Sequence, residues 1–469
     1  EDVLHAPFYR PNEDSQEMQY LHARRKALGG YLPVRVGQRE AITMPDKKAY
    51  DRLNEGTNPN NKAIGVGNTA STTMSYVSLL GNLLKDKNMG HLIVPIVPDE
   101  ARTFGMEGLF RQVGIYASDG QKYVPVDKVS IAAQFYKESK DGQILQEGIN
   151  EDGSLASFIA AGTAYSTHGV NTIPFYVYYS MFGFQRVGDF CWAAGDARTK
   201  GFLFGATAGR TTLNGEGLQH QDGHSHLLSS TVPNCISYDP AYAYELGILV
   251  EAGIKRMYVD MDDVFYYITL HNDKYEHLPM PADKDIKEKV VRGIYKLKAS
   301  KTKNKAKAQL FGSAVTVPIA IKAAEILEKD YKVSADVWSV TSYTELRREA
   351  LDCDRQNLLH PDKKPHVPYI SYIMEKEKGV VVAASDYMKI LPEGIRKWIP
   401  QAYTVLGTDG YGRSEIREVL RDHFEINEQF IVLATLTTLV DEGALDKKIL
   451  SKAIKKLGID PDKINPQYA

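Results

Sequence analysis

From about residue 67 onward, short apolar runs alternate with amphipathic stretches. Ser71 and Thr72 stand at a capping position, and Val77, Leu80, Leu83 and Leu84 then recur at helical spacing, predicting a helix. The run 91–97 (HLIVPIV) is short and apolar on both faces, as a buried strand is. A second strand-to-turn passage is expected over 144–151, followed by an alanine-rich helix over 155–164. Strands are predicted over 172–179, 201–206, 234–237 and 264–270, with a helix starting at Asp239-Pro240, because proline suits a first helical position. Prolines 279 and 281 break the rhythm, and a boundary is placed near 281. A second unit follows, with strands over 308–311, 335–340, 380–384 and 403–407. Helices are expected over 317–329 and 343–350, the latter capped by Thr341-Ser342, and two more close the chain. Repeated strand–helix alternation predicts α/β units with mainly parallel sheets covered by helices.

Residues 1–50 follow no such pattern. Pro7, Pro11, Pro33 and Pro45 interrupt them, and one helix is expected over 15–28, closed by Gly29-Gly30. They read as a strap over a surface. Six lysines crowd residues 296–307; a solvated linker or strand flank outweighs an acidic partner as their explanation.

With 469 residues the chain has room for two to three domains. A hydrophobic share of 43% and a charged share of 25% place it among ordinary globular proteins. The net charge of -2 provides no overall attraction to nucleic acid or to an anionic membrane, and no apolar run reaches the ~18 residues of a span. Glu1 is not a natural first residue, so processing or truncation is expected. Cys191, Cys235 and Cys353 are far apart and odd in number, which fits thiols in a reducing compartment, the cytoplasm.

The densest chemistry lies in residues 209–226, GRTTLNGEGLQHQDGHSH. Four glycines and no apolar period make this a loop, of the kind that holds side chains for chemistry. Three readings compete. A solvated polar loop explains any one histidine best. A zinc site would use His220, Asp222, His224 and His226, which alternate at spacing two. A substrate or cofactor loop would use one imidazole as acid or base near neutral pH. Asp99 and Glu100 follow a buried strand, where ligands bind in open α/β sheets, and Glu151 stands at a strand end and a helix start. Tyr179 and Phe182 lie just past a strand end. Residues 407–413 read as a strand-to-helix turn facing a neighbouring subunit. There is no phosphate-binding glycine motif and no serine elbow.

Five strings carry a resemblance: DEARTFGMEGLFRQ (99–112), QEGINE (146–151), YYSMFGFQR (178–186), TLNGEGLQH (212–220) and LGTDGYGRS (406–414). In this order they resemble the homodimeric bacterial pyruvate dehydrogenase decarboxylating component, a thiamin diphosphate enzyme of the transketolase-like superfamily. The resemblance implies a tail of an N-terminal domain and linker over 1–50. A pyrimidine-binding middle domain follows over 51–280, and a transketolase C-terminal-like domain over 281–469. The family's first domain holds the diphosphate through magnesium with a Gly-Asp-Gly motif, and no such motif occurs here. The chain alone is therefore expected to lack the metal anchor and to be inactive, with no metal ligands of its own.

Carried over by position, Glu151 corresponds to the glutamate that bonds the aminopyrimidine ring. Phe182 corresponds to the aromatic that stacks on it, and Tyr179 to a tyrosine near the reacting centre. Glu216 and His220 correspond to loop residues facing the substrate, and Asp99 and Glu100 to acids close to the cofactor. The implied reaction is decarboxylation of pyruvate and reductive acetylation of the lipoyl group of dihydrolipoyl acetyltransferase, by a cytoplasmic homodimer. A zinc hydrolase on the histidine loop and a non-catalytic dimerisation module stand as alternatives.

Overall fold

The computed structural model describes residues 10–27, 30, 31, 37, 39–58, 68–124 and 136–469. Expectations for Pro7, Leu28, Gly29 and Pro33 lie outside the described residues. Two mainly parallel sheets organise the chain. The first holds β1 (Ile93–Val97), β2 (Leu145–Gln146), β3 (Ile173–Tyr179), β4 (Phe202–Ala206), β5 (Cys235–Tyr238) and β6 (Phe265–Thr269). Their order is β2-β1-β3-β4-β6-β5, and every pairing is parallel. All five residues of β4 and β6 are buried, as expected of strands covered on both faces.

The second sheet holds β7 (Ile294–Lys298), β8 (Ala306–Gly312), β9 (Val333–Val340), β10 (Val380–Ala384) and β11 (Tyr403–Leu406), in the order β11-β10-β8-β9-β7. Its edge strand β7 is antiparallel and was not expected from the sequence. Lys296 and Lys298 lie on it, so the lysine-rich stretch begins as a strand and continues as the approach to β8.

Helix ends follow their caps. Ser71 accepts the Met74 N–H at 3.2 Å to open α1 (Thr72–Leu83), and Asn150 accepts the Gly153 N–H at 3.0 Å to open α2 (Glu151–Gly162). Ser342 caps the helix Tyr343–Leu359, which runs past the expected end at 350. The helix expected at Asp239-Pro240 begins instead at Ala243 as α4 (Ala243–Tyr258), α3 being Phe184–Asp196. The Asp239 carboxylate is taken by His271 and Thr269, at 2.8 and 2.6 Å. The Ala241 and Tyr242 N–H groups donate to the Glu245 carboxylate rather than starting a helical ladder. The end of the chain has three α-helices rather than two, Arg417–His423, Glu428–Asp441 and Lys448–Leu457.

In the strap, the helix Gln16–Ala27 has no buried residue. Past it, Ile42 N–H bonds the Tyr258 carbonyl at 3.1 Å, and Tyr50 and Leu53 of the helix Lys48–Asn54 are buried. No helix among the described residues is long and apolar enough to cross a membrane.

Candidate active site

The parallel strands β1, β2 and β3 end on one edge of the first sheet, and the polar residues singled out above converge there. Asp99 and Glu100 leave β1, Glu151 opens α2 after β2, and Tyr179 ends β3. Phe182 sits in the 3-10 turn Ser180–Phe182, which leads into α3. Glu216 and His220 come from the 209–226 loop that follows β4.

Tyr179, Phe182 and His220 form one aromatic cluster. Their ring centroids are 5.2 Å apart for Tyr179–His220, 5.1 Å for Phe182–His220 and 5.9 Å for Tyr179–Phe182. All three pairs meet edge to face, the arrangement ring quadrupoles favour. His220 Nδ1 is 3.4 Å from Glu216 Oε2, close enough for an ion pair but without hydrogen-bond geometry.

Glu151 is 6% exposed, and its Oε2 accepts from Arg186 Nη1 at 3.0 Å. The Arg186 guanidinium also lies over the Phe182 ring, 4.5 Å from its centroid. Arg186 thus ties the acid to the aromatic cluster. It lies within a string quoted for the resemblance but was not picked out. The signal was its spacing of four from Phe182 across a helical start.

Glu100 is a second residue whose chemistry shows only in three dimensions. Burial pushes its carboxyl up to about 7, helped by the neighbouring charges of Glu151 and Asp99 and opposed by Arg186. Asp99 is exposed and accepts from Gln146 Nε2 at 2.6 Å. Burial also raises the Tyr179 hydroxyl, with Glu100 and Glu216 adding to the effect, so it stays protonated at neutral pH.

The folded carboxyl of Glu100 titrates above its unfolded value of 4.5, so the folded state holds the proton more tightly. Stability from this group is therefore lost as pH rises from 4.5 to about 7. Glu100→Gln is expected to match the parent protein in urea unfolding below pH 4.5 and to exceed it above pH 7. The gain should be on the order of 1 kcal/mol, because the partly exposed group is screened by water. Equal midpoints at pH 8 would remove the assigned burial cost.

The second unit holds the 209–226 loop in place. Gln221 exchanges two hydrogen bonds with the Arg413 backbone, both at 2.8 Å, and Arg210 Nη1 donates to the Thr408 carbonyl at 2.9 Å. Gly209 has φ +85°, and a Cβ there would overlap the buried Asp386 carboxylate, so this turn needs glycine. The 407–413 segment therefore packs on the site loop of its own chain.

The zinc reading of this loop meets a different geometry. Asp222 accepts the His224 and Ser225 N–H groups, each at 2.9 Å, in a turn just ahead of the short helix Ser225–Ser229. His224 Nε2 pairs with Gln185 at 2.6 Å, and His226 is buried against Thr269 at 2.9 Å. His220 faces the aromatic cluster. No group of three His, Cys, Asp or Glu side chains able to hold a metal occurs among the described residues. Cys191 and Cys235 are buried, and burial pushes the Cys191 thiol up to about 12.

Two mainly parallel sheets in this order, with a charged and aromatic cluster at the strand ends of the first, have the fold of transketolase-like proteins. Transketolase from Leishmania mexicana superposes on 85% of this chain and 48% of its own, with a TM-score of 0.61 at 15% identity, a likeness of fold. The sequence model of the pyruvate dehydrogenase E1 component middle domain matches residues 50–278, and that of the transketolase-like C-terminal domain matches 293–427. The pyruvate dehydrogenase E1 components of Cupriavidus necator and Escherichia coli K12 are each 50% identical to it. The alignments run over 98% and 100% of this chain and over 50% and 51% of those proteins. The chain belongs to the pyruvate dehydrogenase E1 component family, and it spans about half the length of the curated relatives it matches.

Proposed function

We propose that these residues are the middle and C-terminal parts, divided near 281, of an enzyme subunit that uses thiamin diphosphate to decarboxylate pyruvate. The acetyl group would pass to the lipoyl group of dihydrolipoyl acetyltransferase, within a cytoplasmic pyruvate dehydrogenase complex. The observation that carries this reading is the Glu151–Arg186–Phe182–His220 cluster at the strand ends, in a chain 50% identical to E1 components.

The residues fit the cofactor's heteroaromatic ring. A buried carboxylate offers an in-plane hydrogen-bond partner, and a half-buried phenyl ring offers a stacking face. When bound, thiamin diphosphate supplies a nucleophilic carbon and an electron sink. The protein's part is position and charge. Glu151 would hold a proton shared with the ring nitrogen, and Phe182 would fix the ring's tilt. Arg186 restrains the Glu151 carboxylate through Oε2. Tyr179, protonated, would donate to the oxygen of the bound keto acid, and Asp99 and Glu100 would set the local charge. The diphosphate and its magnesium would be held by residues outside these 469, and a homodimer would complete the site.

His220 is assigned the acid role in acetyl transfer, with Glu216 holding the imidazole. In the full-length dimer, His220→Ala is expected to retain carbon dioxide release from pyruvate while acetylation of a lipoyl domain falls ~100-fold. Loss of decarboxylation with transfer intact would reverse that assignment. No pyruvate-dependent acetylation by the full-length parent enzyme would sink the reading as a whole. A second reading, as a non-catalytic dimerisation module, has no specific observation in its favour.

A further inference from the structure

We infer that the lysine row at 301–307 is a docking surface for an extended acidic segment of another protein. Lys301, Lys303, Lys305 and Lys307 are all exposed and alternate along the chain. The residues that alternate with them are tied down. Ser300 N–H donates to Asp336 Oδ1 at 2.7 Å, and Ser300 Oγ donates to Glu328 at 2.5 Å. The Thr302 and Ser334 hydroxyls bond at 2.7 Å, and Asn304 N–H donates to Ser334 Oγ at 2.9 Å. Anchoring every second residue presents the lysines outward in a fixed register. A lysine run that only solvates a loop needs no such anchoring.

The charge in this row is not neutralised from within. Lys296 pairs with Asp336 and Glu377, both at 2.8 Å, and Lys298 pairs with Glu325 at 3.1 Å. The four outward lysines have no ion pair among the described residues. Strand register adds two more cations. Ala306 pairs with Val333 and Ala308 with Val380, which brings exposed Lys332 and Lys378 level with this segment. A cavity of about 550 Å³ opens beside it, with Lys305, Lys307 and Lys378 on its wall and the apolar Val380 and Leu439 beneath. The one acid on that cavity is the exposed Glu442.

The row selects its partner by shape. Six residue steps of extended chain span roughly 20 Å, too long for one phosphate and matched by carboxylates at alternate positions of an extended peptide. The row contains no arginine and no aromatic ring, so the bidentate grip and base stacking that hold nucleic acid are missing. The apolar side of the cavity accepts a side chain of the docked segment. The surface lies at the N-terminal ends of β8 and β10. The site-facing loop 407–413 follows the opposite end of β11, so docking here leaves the site open.

The test is fluorescence anisotropy at low salt, with a labelled octapeptide of alternating glutamate and alanine. The chain is compared with a variant carrying Lys301→Ser, Lys303→Ser, Lys305→Ser and Lys307→Ser. A charge-matched control carries Lys87→Ser, Lys284→Ser, Lys363→Ser and Lys364→Ser, all exposed elsewhere. The row variant is expected to bind about tenfold more weakly and the control within about twofold, with salt abolishing the difference. Amide exchange should slow over 300–307 when the peptide is present. Absent peptide binding, equal weakening in the two variants, or tighter binding of a 20-nucleotide single strand or of tripolyphosphate would each overturn the inference.

Discussion

Under the proposed function, Glu151→Gln in the full-length, cofactor-loaded protein is expected to lower kcat for pyruvate decarboxylation by about 10²–10⁴, the range for removing a positioned proton-transfer group. KM for pyruvate should change little, because Glu151 faces the proposed cofactor site rather than the keto acid. The fold should survive. Asn150, not Glu151, caps α2, and glutamine keeps an oxygen for the Arg186 guanidinium. Steady-state kinetics alongside thermal melting separate the outcomes. A kcat within threefold of the parent enzyme would remove Glu151 from the chemistry. A large loss of melting temperature would make its role structural.

The largest stability effect is expected at Glu245, which lies in α4 and is fully buried. One carboxylate oxygen accepts the Ala241 and Tyr242 N–H groups at 2.5 and 3.2 Å. The other accepts Tyr295 OH at 2.5 Å and Ser339 OH at 2.7 Å. Tyr295 is on β7 and Ser339 on β9, so this acid joins the first sheet's helix layer to the second sheet. Burial pushes its carboxyl up, and four donated hydrogen bonds oppose that. Glu245→Ala leaves two backbone donors unpaired in the interior and is expected to cost about 4 kcal/mol in urea unfolding. Glu245→Gln should cost clearly less, since one amide oxygen still serves the backbone and both hydroxyls can turn to accept. A loss below about 1 kcal/mol for the alanine variant would mean that water replaces the carboxylate.

Much of the fold was legible because the strands are short, apolar and buried on both faces. β10 was read at 380–384 and lies at Val380–Ala384. β7 was missed because lysines at 296 and 298 contradict a strand read from hydrophobicity alone. As an edge strand, its lysines turn to carboxylates of β9 and its neighbours. The start of α4 was misread because Pro240 signals a first turn. Only the distant partners His271, Thr269 and Glu245 explain why the chain stays irregular to Tyr242.

The site divides in the same way. Its proposed members, Arg186 apart, were picked out within four of the strings, and the glycine-rich loop was visible as a loop. Distinguishing a zinc cluster from an aromatic one was beyond spacing, because alternate residues share a face only if the segment stays extended. Here Asp222 bonds the His224 and Ser225 N–H groups and turns the chain ahead of the helix Ser225–Ser229, and the four candidate ligands part company.

On its own, then, the linear chain determined the class of fold and most of its strands, and it singled out the candidate site residues, since each depends on local periodicity and local strings. Tertiary structure alone decided that Arg186 grips Glu151, that Glu100 holds its proton to about 7, that the second unit braces the site loop, and that Glu245 locks the two sheets together. Each of these depends on burial and on groups tens to hundreds of residues apart, and desolvation and through-space charge leave no mark on neighbouring letters.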